Sequence, residues 1–409
     1  MFINFRVRNY RSIQDEAVFS MEKRGQAKEL QENSFRTPAL PSKMSLLKSS
    51  VIYGGNASGK SNLIHAVTAM QNVVLHQGVG DPDGRKLLEP FLLSENSQKE
   101  PILFEMEFVS KERRYRYGFE CTSEHIVSEW LYAQKQRMTL MFAREGDHFV
   151  EASPDFPELT VWKKILGDTN LTLPNDALFL TTAARFLAGG SCEAVYDWFE
   201  HTLVVLSAET HQQYLARTFE AMKSPDLSWM ISKLISKADF GIQSVETDAQ
   251  DAADDANDMG TVRTMHVVDG RTYVLNMHRH ESSGTQKVFA LAASLLDVLK
   301  HGKTLFIDEL DASLHPLLVS QLLELFHADN RLNAQIVATT HSPSLLTETA
   351  FRHDQVWFVS KSDGGKTTLT SLVDFTGIRG NFARIVKDYL HGCFGAVPNI
   401  RNLNVEEKR

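Results

Sequence analysis

Residues 54–61 read GGNASGKS, and this glycine-rich stretch constrains the fold more than any other part of the chain. A short apolar run, SVIY, precedes the stretch, and helical spacing begins at about Lys60. The spacing fits G-x-x-x-x-G-K-[ST], a loop whose backbone N–H groups point inward and which opens a helix with a positive end. The stretch therefore predicts a strand, a phosphate-binding loop (the P-loop) and a helix in direct succession.

The P-loop also predicts which ligand it holds. In such a loop the amine of Lys60 reaches the β- and γ-phosphates of a nucleotide, and the hydroxyl of Ser61 ligates Mg²⁺. ATP and Mg²⁺ are therefore the expected ligands. The residues expected to contact them are Gly54, Asn56, Ser58, Gly59, Lys60, Ser61 and Asn62.

A second motif, TLFIDELDASLHP at residues 304–316, places carboxylates directly after an apolar run. In open α/β sheets, ligands bind at the C-terminal ends of the strands. Asp308 is expected to hold the magnesium ion through water, and Glu309 is the candidate base that polarises the attacking water. A solvated acidic turn is the alternative interpretation, which the presence of the P-loop disfavours.

A histidine, His341, stands just beyond another apolar run, QIVATT. A lone histidine is more often structural than functional. In a chain with the two preceding motifs, however, a histidine at the end of a core strand is expected to sense or hydrogen-bond the γ-phosphate. Glu309 and His341 are therefore the candidate catalytic residues.

Residues 282–286, SSGTQ, form a small-residue turn directly before an apolar-periodic segment. A helix is expected from Thr285 to Lys300, ended by Gly302. Ser283 and Gly284 offer a hydroxyl and a bare N–H at the positive end of this helix, far in sequence from the P-loop. The turn is thus a second candidate anion site, with an ordinary N-capped helix as the alternative.

Charge and composition exclude several classes of protein. The formal net charge is −8, so any contact with nucleic acid needs a local basic patch. The three cysteines lie far apart, which argues against both a disulfide framework and a zinc site. No signal layout is visible, and no apolar run approaches the roughly 18 residues of a membrane span. The chain is expected to be soluble and cytoplasmic, without membrane contact.

The pattern of elements divides the chain into five segments. Residues 1–150 carry the P-loop and then alternating strands, a pattern typical of an antiparallel meander. Residues 151–245 have mostly helical spacing, and residues 246–260 are acidic and alanine-rich, which predicts a flexible loop. Residues 261–380 contain the SSGTQ turn, the acidic motif and His341, and residues 381–409 form a tail. The predicted fold is α/β, with a mixed central sheet, a strand meander and an inserted helical subdomain.

Together these motifs resemble the ABC-type ATPase head of SMC, Rad50, RecF and OLD proteins. SSGTQ stands where this family has its LSGGQ signature; Ser283, Gly284 and Gln286 match it, whereas Ser282 and Thr285 depart from it. The resemblance implies an ABC-type head fold. It also implies that the signature, Gln286 included, caps the nucleotide held by the P-loop of a second subunit, so that two ATP molecules lie between two heads.

Two further residues take roles from the same resemblance. Asp311 matches the D-loop, a segment that crosses the dimer interface. Arg11, in NYRSI, matches a basic position near the start of SMC-like heads that can approach nucleotide or DNA, and an ordinary surface arginine is an equal alternative.

Over nearly its whole length the chain resembles AAA15/AAA21-type ATPases of the Rlo/AbiL abortive-infection class, through stretches such as NYRSIQDE, IYGGNASGKSNLI, FIDELDASLHP and DYLHGCFGAVPNI. The resemblance implies slow, switch-like ATP hydrolysis by a head-to-head homodimer, or multiples of it. This dimer would control a separate Toprim-like nuclease or toxin subunit in anti-phage defence. A RecF/SMC-like DNA-repair clamp is the alternative, against which the negative charge counts mildly.

Overall fold

The computed structural model describes residues 1–24, 30–76, 78–80, 82–134, 136–154, 156–169, 173–239, 241–247, 262–328, 330–347, 351–375 and 382–397. The chain divides into two compact units. The P-loop unit comprises Phe2–Glu200 and Thr339–Arg409, and the signature unit comprises His201–Ala338, to which Met1 is added.

The helices and strands follow one another along the chain in two groups. Up to the end of the first P-loop-unit segment they are β1 (Phe2–Arg8), β2 (Ala17–Ser20), β3 (Ser34–Phe35), β4 (Leu46–Leu47), β5 (Ser49–Tyr53), α1 (Lys60–Leu75), α2 (Pro82–Arg85), β6 (Ile102–Ser110), β7 (Arg113–Cys121), β8 (Ile126–Gln134), β9 (Met138–Glu145), β10 (His148–Ala152), α3 (Pro157–Thr169), α4 (Phe179–Phe186) and α5 (Ser191–Asp197). Thereafter they are β11 (Leu203–Leu206), α6 (His211–Met222), α7 (Pro225–Ala238), β12 (Ile242–Thr247), β13 (Val262–Val268), β14 (Arg271–Asn276), α8 (Met277–His280), α9 (Ser283–His301), β15 (Thr304–Ile307), α10 (Pro316–His327), β16 (Gln335–Thr340), β17 (Val356–Lys361), β18 (Thr367–Ser371) and α11 (Phe382–Leu390).

The strand meander predicted for the first 150 residues is confirmed. In the P-loop unit, seven strands form an antiparallel sheet in the order β10-β9-β8-β7-β6-β1-β2. In β1 the buried Phe5 and Val7 alternate with the half-exposed Asn4, Arg6 and Arg8, which is the period of two expected of a half-buried strand. Strand β6 lies inside the sheet and is buried along its whole length.

A second group of strands in the same unit carries the P-loop. All five residues of β5 are buried, and β5 pairs in parallel with β17, Val51 opposite Val356. Strand β17 in turn pairs antiparallel with β18. This mixture of parallel and antiparallel pairing agrees with the predicted mixed sheet. Because β5 is fully buried, the loop that follows it starts from a fixed position.

The C-terminal part of the P-loop unit packs on these strands. The ring of Tyr389, in α11, lies 5.9 Å from that of Tyr53 and 5.6 Å from that of Phe358. Phe394 stacks on Phe358 at 4.3 Å. Of the tail predicted at 381–409, residue 381 and residues 398–409 lie outside the described residues.

The signature unit has a parallel sheet and a separate antiparallel sheet. Strands β11, β15 and β16 pair in parallel, and all four residues of β15 are buried. Strands β12, β13 and β14 form the antiparallel sheet, whose last strand leads through α8 into α9. In the described parts of the chain, no helix has both the length and the apolar character needed to cross a membrane.

Two sequence predictions differ in part from the structure. The helical interpretation of residues 151–245 fits α3 to α7 but is wrong for Leu203–Leu206, which pairs with β15 as β11, and for the ends of the segment, which lie in β10 and β12. A short apolar run cannot be assigned to helix or strand from periodicity alone. The acidic loop predicted at 246–260 overlaps β12 at Glu246 and Thr247. Its remaining residues, 248–260, lie outside the described residues.

Candidate functional site

The P-loop runs from the end of β5 at Tyr53 to the start of α1 at Lys60. Two of its residues have positive φ, Ala57 at 60° and Gly59 at 108°. At Gly59 a side chain would also collide with the hydroxyl of Thr367. Glycine is needed there for both reasons, since only glycine combines this backbone conformation with so close an approach.

Lys60 and His341, which the sequence places 281 residues apart, lie together beside the loop. The Nζ atom of Lys60 donates hydrogen bonds to Gly54 O at 2.7 Å and Gly55 O at 3.1 Å, and it lies 3.3 Å from Nδ1 of His341. Only 4% of Lys60 is exposed. A buried ammonium group is costly unless it has hydrogen-bond partners, and here the loop itself provides them.

The mouth of the loop contains polar groups that fit a phosphate. Ser58 is buried, and its Oγ has no hydrogen-bond partner among the described residues. The N-cap residue of α1 is Gly59, so no side chain caps the backbone N–H groups of the first helical turn. Buried hydroxyls are normally hydrogen-bonded, and uncapped helix N-termini attract anions. These groups are therefore suited to phosphate oxygens, and Ser61 lies in the same turn of helix.

A chain of hydrogen bonds supports the P-loop from outside. The hydroxyl of Thr367 donates to Ser58 O at 2.8 Å and lies 2.7 Å from Ser12 Oγ. Asn62 Nδ2 donates to the same Ser12 oxygen at 2.6 Å. Sequence reasoning included Asn62 but missed Ser12 and Thr367. Ser12 directly follows Arg11, whereas Thr367 stands in a polar strand that no motif distinguishes.

Arg11 lies at a cavity of about 410 Å³ that also includes Ser12, Asn62, Glu89, Leu93 and Lys361. The backbone N–H of Arg11 donates to Glu89 O at 2.8 Å, and its Nε lies 3.6 Å from Glu89 Oε2. Arg11 is therefore placed next to the start of α1, beside an opening in the same unit as the P-loop. Its predicted approach to nucleotide or DNA stays a prediction.

The acidic motif follows β15 in the signature unit. The backbone N–H of Asp308 donates to Leu206 O at 2.9 Å. Strand β11, which the sequence did not predict, therefore helps to position Asp308. Glu309 is exposed and has a left-handed backbone with φ of 48°. Such a conformation is uncommon outside glycine and persists only where the surroundings impose it. Asp311 is half-buried two residues further along.

The signature turn, residues 282–286, forms the beginning of α9, which starts at Ser283, two residues before the predicted Thr285, and is C-capped by Gly302 as predicted. The Ser282 hydroxyl caps the helix by accepting from Thr285 N at 3.1 Å. Ser283 is exposed and Gly284 half-exposed. A Cβ atom on Gly284 would lie 2.7 Å from Ser313 O, so packing within the subunit already requires glycine at this position.

The last residue of the turn, Gln286, is engaged with its own chain. Its Nε2 lies within 3.2 Å of three backbone carbonyl oxygens, those of Met277, His278 and Glu281. This amide therefore fixes the segment that enters the helix, and the predicted contact of Gln286 with a nucleotide stays a prediction. The residue after Gln286, Lys287, was not predicted to belong to the site. Its Nζ donates to Glu309 O at 2.7 Å.

Comparison with known proteins gives one family and several solved structures. Residues 49–347, well over half of the chain, match the family model described as AAA domain, putative AbiEii toxin, Type IV TA system. None of the curated proteins compared matches the chain significantly.

Heads of SMC proteins are among the similar solved structures. The SMC head domain from Thermotoga maritima has 14% identity and a TM-score of 0.43, over 90% of this chain and 98% of that one. The SmcHead bound to the C-winged helix domain of ScpA has 14% identity and a TM-score of 0.48, over 90% and 97%. The Smc head domain with an extended coiled coil, bound to the C-terminal domain of ScpA derived from Pyrococcus furiosus, has 10% identity and a TM-score of 0.42, over 95% and 98%.

Proposed function

We propose that this chain, which belongs to the family described as AAA domain, putative AbiEii toxin, Type IV TA system, is an ATPase of the ABC/SMC class that binds and slowly hydrolyses ATP as a molecular switch. The observation that carries this proposal is the P-loop itself. This loop and the helix that follows it bring three features together. They are the buried amine of Lys60, the hydroxyl of Ser58, which has no hydrogen-bond partner among the described residues, and the uncapped start of α1. Together they offer a cation and several hydrogen-bond donors to a triphosphate.

In this mechanism each residue has a separate task. The Lys60 ammonium exchanges its loop carbonyl partners for phosphate oxygens, and His341 hydrogen-bonds the terminal phosphate from its place beside Lys60. Glu309 takes up the proton of the attacking water. Ser61 and Asp308 are the residues that would hold Mg²⁺, whose charge would offset that of the phosphates.

We further propose that two chains act together, each with its signature turn on the nucleotide of the other. The exposed Ser283 at the positive end of α9 is suited to this role, because it offers a hydroxyl at a helix N-terminus. Slow turnover follows if hydrolysis requires both heads to close. Asp311 would lie at the same interface.

Ser283→Arg tests this arrangement. The bulky cation is expected to block closure, so that ATP still binds but hydrolysis falls by about 100-fold. In the decisive experiment this variant is mixed with Lys60→Ala protein, the subunits are allowed to exchange, and ATP hydrolysis by the mixture is measured. If signatures act in trans, half of the randomly paired dimers contain one intact composite site, and activity rises above that of either variant alone, to at most about a quarter of the wild-type rate. No recovery on mixing, together with normal hydrolysis by Ser283→Arg alone, would reject the shared site.

The proposed biological role is defence against phage, with ATP-bound heads controlling a separate Toprim-like nuclease or other toxin subunit in the cytoplasm. The support is the family, whose description names a toxin of a toxin–antitoxin system. The second candidate is a RecF/SMC-like clamp on DNA. For that role the local argument is the cavity beside Arg11 and Lys361, a pair of basic side chains in the same unit as the P-loop. The net charge of −8 speaks against a large DNA surface.

The experiment that separates the two roles is an affinity purification of tagged Glu309→Gln protein from its native host, with ATP present. Mass spectrometry identifies proteins in the eluate, and a separate assay detects nucleic acid. A stoichiometric partner with a nuclease or toxin domain is expected, and Lys60→Ala protein serves as the matched control without nucleotide. DNA without a protein partner would overturn the defence role in favour of the clamp.

A further inference from the structure

Lys287 connects the signature helix to the candidate base within one subunit. It stands three residues after Gly284 on α9, and its Nζ donates to the backbone oxygen of Glu309 at 2.7 Å. The same oxygen accepts from Ala312 N at 3.1 Å, so the lysine supports the turn that follows the acidic motif. A hydrogen bond from an ammonium group is stronger than one between neutral groups.

The turn held by Lys287 is strained at both ends. Glu309 has a φ of 48° and Ser313 a φ of 63°, each left-handed at a residue other than glycine. Each end also contacts the beginning of α9, Glu309 through Lys287 and Ser313 through its close approach to Gly284. Strain of this kind costs on the order of 1–3 kcal/mol per residue and survives only where neighbouring contacts impose it. These two contacts are in position to help impose it.

The electrostatic surroundings suit a lysine that stays in place. Burial lowers the pKa of Lys287, while the carboxylates of Asp311, Glu309 and Asp308 act in the opposite direction. The ammonium group is therefore only partly exposed to water and lies near the acidic side chains of the turn that it holds. A charge in such surroundings is fixed more firmly than one at the surface, where its partners are screened by solvent.

We propose that Lys287 is a positioning residue that keeps Glu309 in its left-handed conformation and couples the signature turn to the candidate base of the same subunit. The inference rests on the proposed function, in which that turn closes on the nucleotide of a second subunit. Closure displaces the start of α9, and Lys287 transmits the displacement to Glu309. Docking of the signature turn on the neighbouring subunit then raises the rate of hydrolysis in the subunit that carries the turn.

Lys287→Met tests the proposal because methionine keeps the apolar stem and removes the donor. The first measurement is hydrogen–deuterium exchange of the protein without nucleotide, which is independent of any activity. Amides of residues 309–314 are expected to exchange at least about 10-fold faster than in wild type, because Glu309 O loses its charged donor. Lys287→Arg, which keeps a cationic donor, is expected to restore much of the protection. Lys300→Met, at the exposed end of the same helix, is the matched control and should leave these amides unchanged.

The second measurement is the kinetics of ATP hydrolysis. Lys287→Met is expected to lower kcat by about 10- to 100-fold while KM and the affinity for a fluorescent ATP analogue stay within twofold. Unchanged amide exchange in residues 309–314, or a normal kcat despite faster exchange, would overturn the proposal. A loss of ATP affinity equal to the loss of kcat would also overturn it, by indicating a merely structural role. Absence of hydrolysis in the wild-type protein would instead contradict the proposed function, and the exchange measurement would still decide whether Lys287 holds the turn.

Discussion

Replacing Lys60 by alanine is expected to weaken ATP binding by at least about 100-fold, because the change removes the one cation that the P-loop holds at its own carbonyl oxygens. The lost charge is not easily replaced. Only 4% of Lys60 is exposed, so a cation from the solvent does not reach the position of its amine. Titration with a fluorescent ATP analogue measures the effect directly. ATP-dependent function in cells should disappear together with binding.

The Lys60→Ala prediction has a matched control and a clear contrary outcome. Lys43→Ala removes an exposed lysine from the same unit and should leave the affinity unchanged. Thermal unfolding of both variants shows whether the fold is retained. Affinity within twofold of wild type in a folded Lys60→Ala protein would show that the loop does not bind nucleotide through this residue.

Glu309→Gln is expected to separate binding from hydrolysis. The substitution keeps size and hydrogen bonding but removes the basic carboxylate, so kcat should fall by about 10²- to 10⁴-fold. ATP affinity should stay close to wild type, because the substitution leaves Lys60 and the other phosphate-binding groups of the P-loop unchanged. With hydrolysis blocked, the ATP-bound dimer should accumulate and be visible as a doubled mass by light scattering after size-exclusion chromatography.

Glu324→Gln is the matched control for this variant, as Glu324 is exposed on α10. It should hydrolyse ATP at the wild-type rate and should not accumulate as a dimer. If Glu309→Gln also hydrolyses at the wild-type rate, Glu309 is not the base. In that case the left-handed backbone at Glu309 needs an explanation unrelated to catalysis.

The parts of the candidate site that can be recognised from the sequence alone are those whose residues stand close together in one motif. A P-loop needs a strand, glycines and a helix in one short stretch, so Gly59 and Lys60 are recognisable without any knowledge of the fold. The same holds for Asp308 at the end of an apolar run. His341 is harder, because only its nearness to Lys60 makes it more than a histidine after a strand.

The parts that sequence does not predict are contacts between elements far apart in the chain. Thr367 supports the P-loop from β18, and Lys287 holds Glu309 from α9, yet neither belongs to a motif. The strand β11 was missed because four apolar residues fit a helix as well as a strand until their partner is known. Gln286 shows the reverse case, since a residue of the signature is bound to backbone of its own chain.

Thr285 has a consequence for how signatures of this kind are recognised in other genomes. It occupies the position of the second glycine, and its hydroxyl donates to Asp239 Oδ2 at 2.8 Å, at the end of α7. The side chain is thus accommodated by a carboxylate supplied 46 residues earlier. A search pattern that insists on two glycines would discard this chain. A pattern that accepts threonine at this position, together with an acidic residue upstream, would retain the chain. It would also group divergent sequences in which a carboxylate accommodates the threonine hydroxyl.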